Sequence, residues 1–127
     1  MKGIVLSSIH NFASSYETSN TLVNKLWKNI TWSSSGNFLS IPTDCPQRNE
    51  RLGWAGDISV FSRTATYLAD VSQFLRRYVQ SMRDVQRSDG RFPDIAPLEE
   101  GLVGCYGEVP ESQCLGSVIS NMEIKDC

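Results

Sequence analysis

The sequence predicts an all-α fold, and three observations carry that prediction. Leu22, Leu26 and Ile30 fall on one helical face, with Val23 and Trp27 beside them. Phe61, Ala65, Leu68, Leu75, Val79 and Met82 make a second, longer stripe, widened by Val60, Tyr67, Val71, Phe74 and Tyr78. Strand-like character is confined to one short β-branched run near the start, GIVLSS.

Taken in order, Gly3 to Ser8 reads as a short strand. Ser19 is a good N-cap for a first helix from about Asn20 to Ser33, which Ser33-Ser34-Ser35-Gly36 ends. Asn37 to Ile41 is extended, and Pro42 holds it away from helix. The second helix runs from about Asp57 to Val85, and the breadth of its stripe predicts neighbours on both flanks. Gln86 to Arg91 is a turn punctuated by Asp89-Gly90, and FPDIAP is an extended loop. From Leu98 onward helix-period spacing disappears and no strand alternation replaces it. Two apolar helices need a partner layer, and the chain after Pro97 offers little to supply one.

The 127 residues suffice for one small domain, with ordinary apolar content (40%) and moderate charge (20%), which argues for globular material. A net charge of −2 gives no reason to expect nucleic acid or an anionic membrane surface as partner. No apolar run approaches the roughly 20 residues that span a bilayer. MKGIVLSSIHN lacks a secretory h-region, so no signal peptide is read; the compartment is left unknown, cytoplasmic only by default. The average charge hides a split: residues 1–97 carry 11 basic and 8 acidic side chains, residues 98–127 carry 1 and 6. Cys105, Cys114 and Cys127 lie in that acidic tail, but no C-x-x-C is present and His10 is the only histidine, so the spacing matches no zinc site.

One stretch suits neither helix nor strand. Pro42 to Asp57 reads PTDCPQRNERLGWAGD, with Asp44, Glu50 and Asp57 set among Arg48, Arg51 and Trp54. Buried acids need partners, so one reading is a structural ion-pair knot. The other is a sugar site: Trp stacks on the apolar face of a sugar ring, while carboxylates and guanidinium groups bind its hydroxyls. A glycosidase also needs one carboxylic acid whose raised pKa keeps it protonated near neutral pH.

The whole sixteen-residue run closely resembles the signature of the α-L-rhamnosidases of glycoside hydrolase family 78. The flanks agree, SYETSNTLVNKLWKNITWSSSGNFLSIPTDCPQ before it and DISVFSRTATYLADVSQFLRRYVQSMRDVQRSDGRFPDIAP after it. The resemblance covers roughly residues 4–97. It implies part of an (α/α)6 six-hairpin barrel, about one and a half hairpins. The activity implied is hydrolysis of terminal α-L-rhamnosyl linkages with inversion, on rhamnose-containing glycosides, without organic cofactor or metal. By resemblance Glu50 is the general acid, and Asp44 and Asp57 hold sugar hydroxyls. Trp54 packs against the ring, and Arg48 orients a carboxylate or hydroxyl. Arg51, Cys45 and Gln47 are read as supporting structure. Asn49 departs from the family, many members of which carry Asp there; a neutral amide removes a negative neighbour that would raise the Glu50 pKa.

An inverting glycosidase also needs a general base about 6.5–9.5 Å from the acid. In the family it comes from much later in the barrel, so the chain is expected to be a catalytically incomplete piece. Residues 1–10 then read as the remnant of a preceding β-rich region, and 11–97 as the N-terminal part of the catalytic domain. Residues 98–127 read as an out-of-frame tail. A one-base shift near the codons of Pro97 and Leu98 permits GGGFGGVLWG and then SAGITVPWECYQQYGDKGL, which resembles the family's continuation. The alternative is a small non-catalytic sugar-binding or scaffold protein. In either case uncovered apolar helix faces would favour self-association.

Overall fold

The computed structural model describes residues 3–98. Three helices carry these residues: α1 (Thr21–Asn37), α2 (Ala55–Leu68) and α3 (Ser72–Asp84). A minimal antiparallel hairpin, β1 (Phe38–Leu39) and β2 (Ile41–Pro42), turns at Ser40 between α1 and α2. None of the described helices is long and apolar enough to cross a membrane.

Helix α1 starts one residue later than the sequence suggests. Asn20 is the cap, its Oδ1 accepting from Leu22 N (2.9 Å) and Val23 N (3.4 Å). Thr18 and Asn24 brace that start: Thr18 N donates to Asn24 Oδ1, and Asn24 Nδ2 donates back to Thr18 O, both at 2.8 Å. Asn20→Ala removes the capping oxygen and is expected to cost about 1 kcal/mol, read by chemical denaturation. The serine run does not end the helix. Ser34 Oγ donates to Ile30 O (2.8 Å) and Asn37 Nδ2 to Ser33 O (2.7 Å), so polar side chains extend α1 by back-bonding.

The single helix expected over 57–85 is two. Ala69 is extended (φ −151°, ψ 164°), and α3 begins after Val71. Two interactions make the break. Phe12 pairs with Ala69, and Ala13 N donates to Leu68 O (2.8 Å), so the N-terminal segment takes a carbonyl at the end of α2. Asp70 Oδ1 then accepts from Ser72 Oγ (2.7 Å) and Ser72 N (3.2 Å) just before α3 begins, the N-cap position itself being Val71.

The expected strand over Gly3 to Ser8 does not form. Ile4, Val5 and Leu6 are exposed, and the segment touches the fold at Ser7 and Ser8. Ser8 N donates to Phe38 O (2.7 Å) and Ser40 N donates to Ser8 Oγ (2.8 Å). These isolated contacts make no ladder, and a strand requires one.

The core lies where α2 and α3 meet the hairpin. Leu75, Tyr78, Val79 and Met82 are buried at helical spacing on α3, and Ile58, Ala65 and Leu68 on α2. Phe38 stacks on Phe74 (centroids 4.5 Å apart) and meets Phe61 edge-on at 6.1 Å. Tyr78 Oη donates to Gly53 O (2.9 Å) inside this core. Tyr78→Phe keeps the packing and loses that bond; about 1 kcal/mol of stability is expected to go with it in a denaturant titration.

The other predicted apolar faces are partly open among the described residues, with Val23, Trp27 and Ile30 of α1 half-buried. Leu22, Leu26 and Trp32 on α1, and Val60 and Tyr67 on α2, are exposed. Ser34 is the buried residue of α1. The tail, with Cys105, Cys114 and Cys127, lies outside the described residues.

Candidate active site

The irregular stretch forms a clasped loop. At its neck Asp44 N donates to Leu52 O (2.9 Å), and Arg51 N donates to Asp44 O (3.1 Å). Inside it, Arg48 N donates to Cys45 O (3.2 Å) and Glu50 N to Arg48 O (2.9 Å). Cys45 (φ 44°) and Arg51 (φ 62°) take left-handed conformations at its two ends. Non-glycine residues seldom sit there, and such positions concentrate at functional loops.

A second clasp ties the loop's C-terminal side to residues 94–96. Ala96 N donates to Gly53 O (3.0 Å), Ala55 N donates to Asp94 O (2.8 Å), and Trp54 bridges Ile95. Gly53 is needed there, because a Cβ would lie 2.3 Å from Ala96 O and 3.1 Å from Ile41 Cδ1. The clasp sets Trp54 at the entry of α2 and Asp57 in its first turn, where the helix dipole favours a carboxylate.

A groove of about 530 Å³ runs between α1 and the start of α2. That volume suits a small ligand. Asp44, Trp54 and Asp57 line it together with apolar Leu26, Phe38 and Ile58. The sequence reading missed its α1 wall, where Asn29, Ser33 and Asn37 add polar groups. Their spacing of four residues on a predicted helix was the available signal.

Glu50 and Arg48 are not among the groove residues; Trp54 links them to it. Trp54 Nε1 donates to Glu50 Oε1 (2.8 Å), and Arg48 pairs with Oε2 of the same carboxylate. The Glu50 side chain is 16% exposed and that of Arg48 66%. Asp44, Cys45 and Glu50 each place one acceptor-type atom within 4.8 Å of the others. Arg48 meets the charge of this cluster, and we assign no metal to it.

The electrostatics around Glu50 run opposite to what proton donation needs. A proton donor should carry a raised pKa, whereas Glu50 is held below its ordinary value. The indole donation from Trp54 is the largest cause, opposed by burial and reinforced by Cys45, Arg48 and Asp44. The Cys45 thiol is pushed the other way. Arg48 favours its thiolate, but burial and the neighbouring Glu50 and Asp44 outweigh that. In this arrangement Glu50 is a carboxylate and Cys45 a thiol. The ion pair that sequence reading offered as a bland alternative therefore exists between Arg48 and Glu50, inside the cluster that borders the groove.

Comparison with known proteins places this geometry in a family. Residues 11–115 match the family described as the bacterial alpha-L-rhamnosidase 6 hairpin glycosidase domain. The chain is 50% identical over 106 residues to an alpha-L-rhamnosidase of Streptomyces avermitilis, covering 80% of this chain and 10% of the relative. It is 44% identical over 112 residues to one of Formosa agariphila, covering 86% of this chain and 12% of the relative. The chain thus spans about a tenth of the length of the curated relatives it matches. The crystal structure of the Streptomyces avermitilis alpha-L-rhamnosidase complexed with L-rhamnose superposes with a TM-score of 0.72 at 47% identity, over 78% of this chain and 10% of that one. The alpha-L-rhamnosidase from Dictyoglumus thermophilum superposes at 0.75 with 34% identity, over 94% and 13%. With three helices in the described residues and this match over most of its length, the chain belongs to the bacterial alpha-L-rhamnosidase six-hairpin glycosidase family as a partial six-hairpin domain.

Proposed function

We propose that this chain is the acid-bearing part of an inverting α-L-rhamnosidase catalytic domain, with Glu50 as general acid. The observation that carries the proposal is the placing of Asp44, Trp54 and Asp57 on one groove while Glu50 is hydrogen-bonded to Trp54. Asp44 and Asp57 accept hydrogen bonds from the hydroxyls of a terminal rhamnosyl unit, and the Trp54 ring covers its apolar face. Glu50 donates a proton to the glycosidic oxygen as the bond from that oxygen to the anomeric carbon breaks. The bonding pair stays with the leaving oxygen.

Water attack from the opposite face needs a second carboxylate as base. Asp44 sits in the Glu50 cluster, too near for an intervening water, and Asp57 is assigned to hydroxyls. We place the base in another part of the six-hairpin domain, so that the 127-residue polypeptide by itself is expected not to turn over. Excluding water around Glu50, by substrate and by further hairpins, is what raises its pKa for proton donation.

Purified chain is expected to hydrolyse an aryl α-L-rhamnoside no faster than buffer. Robust turnover that disappears in Glu50→Gln would overturn the requirement for a separate base. We further propose the frame change near Pro97. The family match runs on to residue 115 in the frame given, which weighs against a change as early as Pro97; sequencing the locus decides the matter, since the alternative frame should encode further barrel helices and a later acid.

A further inference from the structure

Both oxygens of Glu50 are engaged, and their two partners differ in kind. Trp54 Nε1 bonds Oε1, and Arg48 holds Oε2. Indole N–H and guanidinium groups can only donate. A proton on either oxygen must share that oxygen with the donor already bonded to it, which disfavours the protonated form while both partners are in place. Protonation for donation to a glycosidic oxygen is therefore favoured when one partner releases its oxygen.

The structure says which. Trp54 is half-buried, caps α2, bridges Ile95, and is flanked by the Ala55-to-Asp94 and Ala96-to-Gly53 hydrogen bonds. Moving its ring disturbs the groove wall and the clasp together. Arg48 projects from the loop with a 66% exposed side chain. Freeing it regains rotamer entropy and exposes nothing apolar. Asp44 and Cys45 are the other titratable groups facing Glu50. Arg48 also reaches Cys45, so its guanidinium has a second partner within the loop when it leaves Glu50.

We propose that Trp54 is a positioning residue that fixes Oε1 of Glu50, that Arg48 is a displaceable latch on Oε2, and that Oε2 carries the transferable proton. The inference rests on the reading of Glu50 as general acid. While the latch is closed Glu50 is ionised and cannot donate. An incoming glycoside opens it by offering Arg48 hydroxyl oxygens in place of the carboxylate. Oε2 is then free to hold a proton and pass it to the leaving oxygen, and the electrons of the O–H bond return to the carboxylate. Trp54 keeps Oε1 in place throughout, so the carboxyl does not rotate out of line.

The test reads hydrogen bonds, not turnover. In the full chain, labelled for NMR, the Glu50 carboxyl carbon and the Trp54 indole N–H are followed through a pH titration. Loss in Trp54→Phe distinguishes that indole signal from those of Trp27 and Trp32. Both signals should titrate with one midpoint. Arg48→Ala should raise the midpoint while the indole N–H keeps its response. An indole signal indifferent to the Glu50 titration overturns the positioning role, and an unmoved midpoint in Arg48→Ala overturns the latch. Should Trp54→Phe fail to fold, the Arg48→Ala arm still decides, because the Arg48 side chain is mostly in solvent and its removal leaves the core intact. Failure of the acid assignment is a separate result: Glu50→Gln would then leave hydrolysis intact in an assembled domain, while the unsubstituted chain still gives the expected NMR titration.

Discussion

Glu50→Gln, in an assembled domain, is expected to lower hydrolysis of an alkyl α-L-rhamnoside about 10²- to 10⁴-fold. The assembled domain is made by grafting residues 11–97 into the matching stretch of the Streptomyces avermitilis relative. The amide keeps the size of the side chain and can still accept from Trp54, but it carries no transferable proton. An alkoxide leaving group needs that proton as the bond breaks, whereas a nitrophenolate leaves with little help. An activated aryl rhamnoside should therefore lose much less rate in the same variant. Comparing kcat for the two substrates separates loss of proton donation from loss of binding or folding, which would lower both alike. Equal losses on both substrates would remove Glu50 from the acid role.

Gly53→Ala should be the most damaging small substitution in the described residues, at about 3 kcal/mol by chemical denaturation. The new methyl would lie 2.3 Å from Ala96 O, a backbone atom that cannot swing aside. Relief requires separating residues 53 and 96, which breaks the Ala96-to-Gly53 bond and pulls Gly53 O from Tyr78. The groove follows, since Trp54 is held by the same clasp. Tryptophan fluorescence should report loss of the Trp54 environment at or before global unfolding. A variant as stable as the parent would show that the clasp is dispensable.

Local pattern and motif were legible in the sequence, and long-range pairing was not. The α1 and α3 stripes follow from apolar spacing, and PTDCPQRNERLGWAGD identified every polar group around Glu50 before any geometry was known. The break between α2 and α3 escaped because the apolar period runs across it without Gly or Pro. Its cause is a strand-like contact from Phe12 and Ala13, far away in sequence. The local part of that signal, Asp70 two residues before Ser72, was not read. GIVLSS failed for the opposite reason: β propensity cannot make a strand without an edge to pair with. The lowered Glu50 pKa was unreadable as well, because it depends on where one indole N–H points.

The clasp between Gly53 and Ala96 also imposes an order of events on folding. Its halves are separated by roughly forty residues of chain, so the loop bearing Glu50 is synthesised well before the segment that fastens it. Helix α1 and the β-hairpin can form from local contacts as they emerge. The acid-bearing loop has only its own neck until residues 94–96 arrive, and closing so long a connection is slow compared with helix formation. The geometry around Glu50 is therefore among the last features to set. A lesion in the few codons before residue 97 would loosen the Glu50 loop while leaving the helices to form.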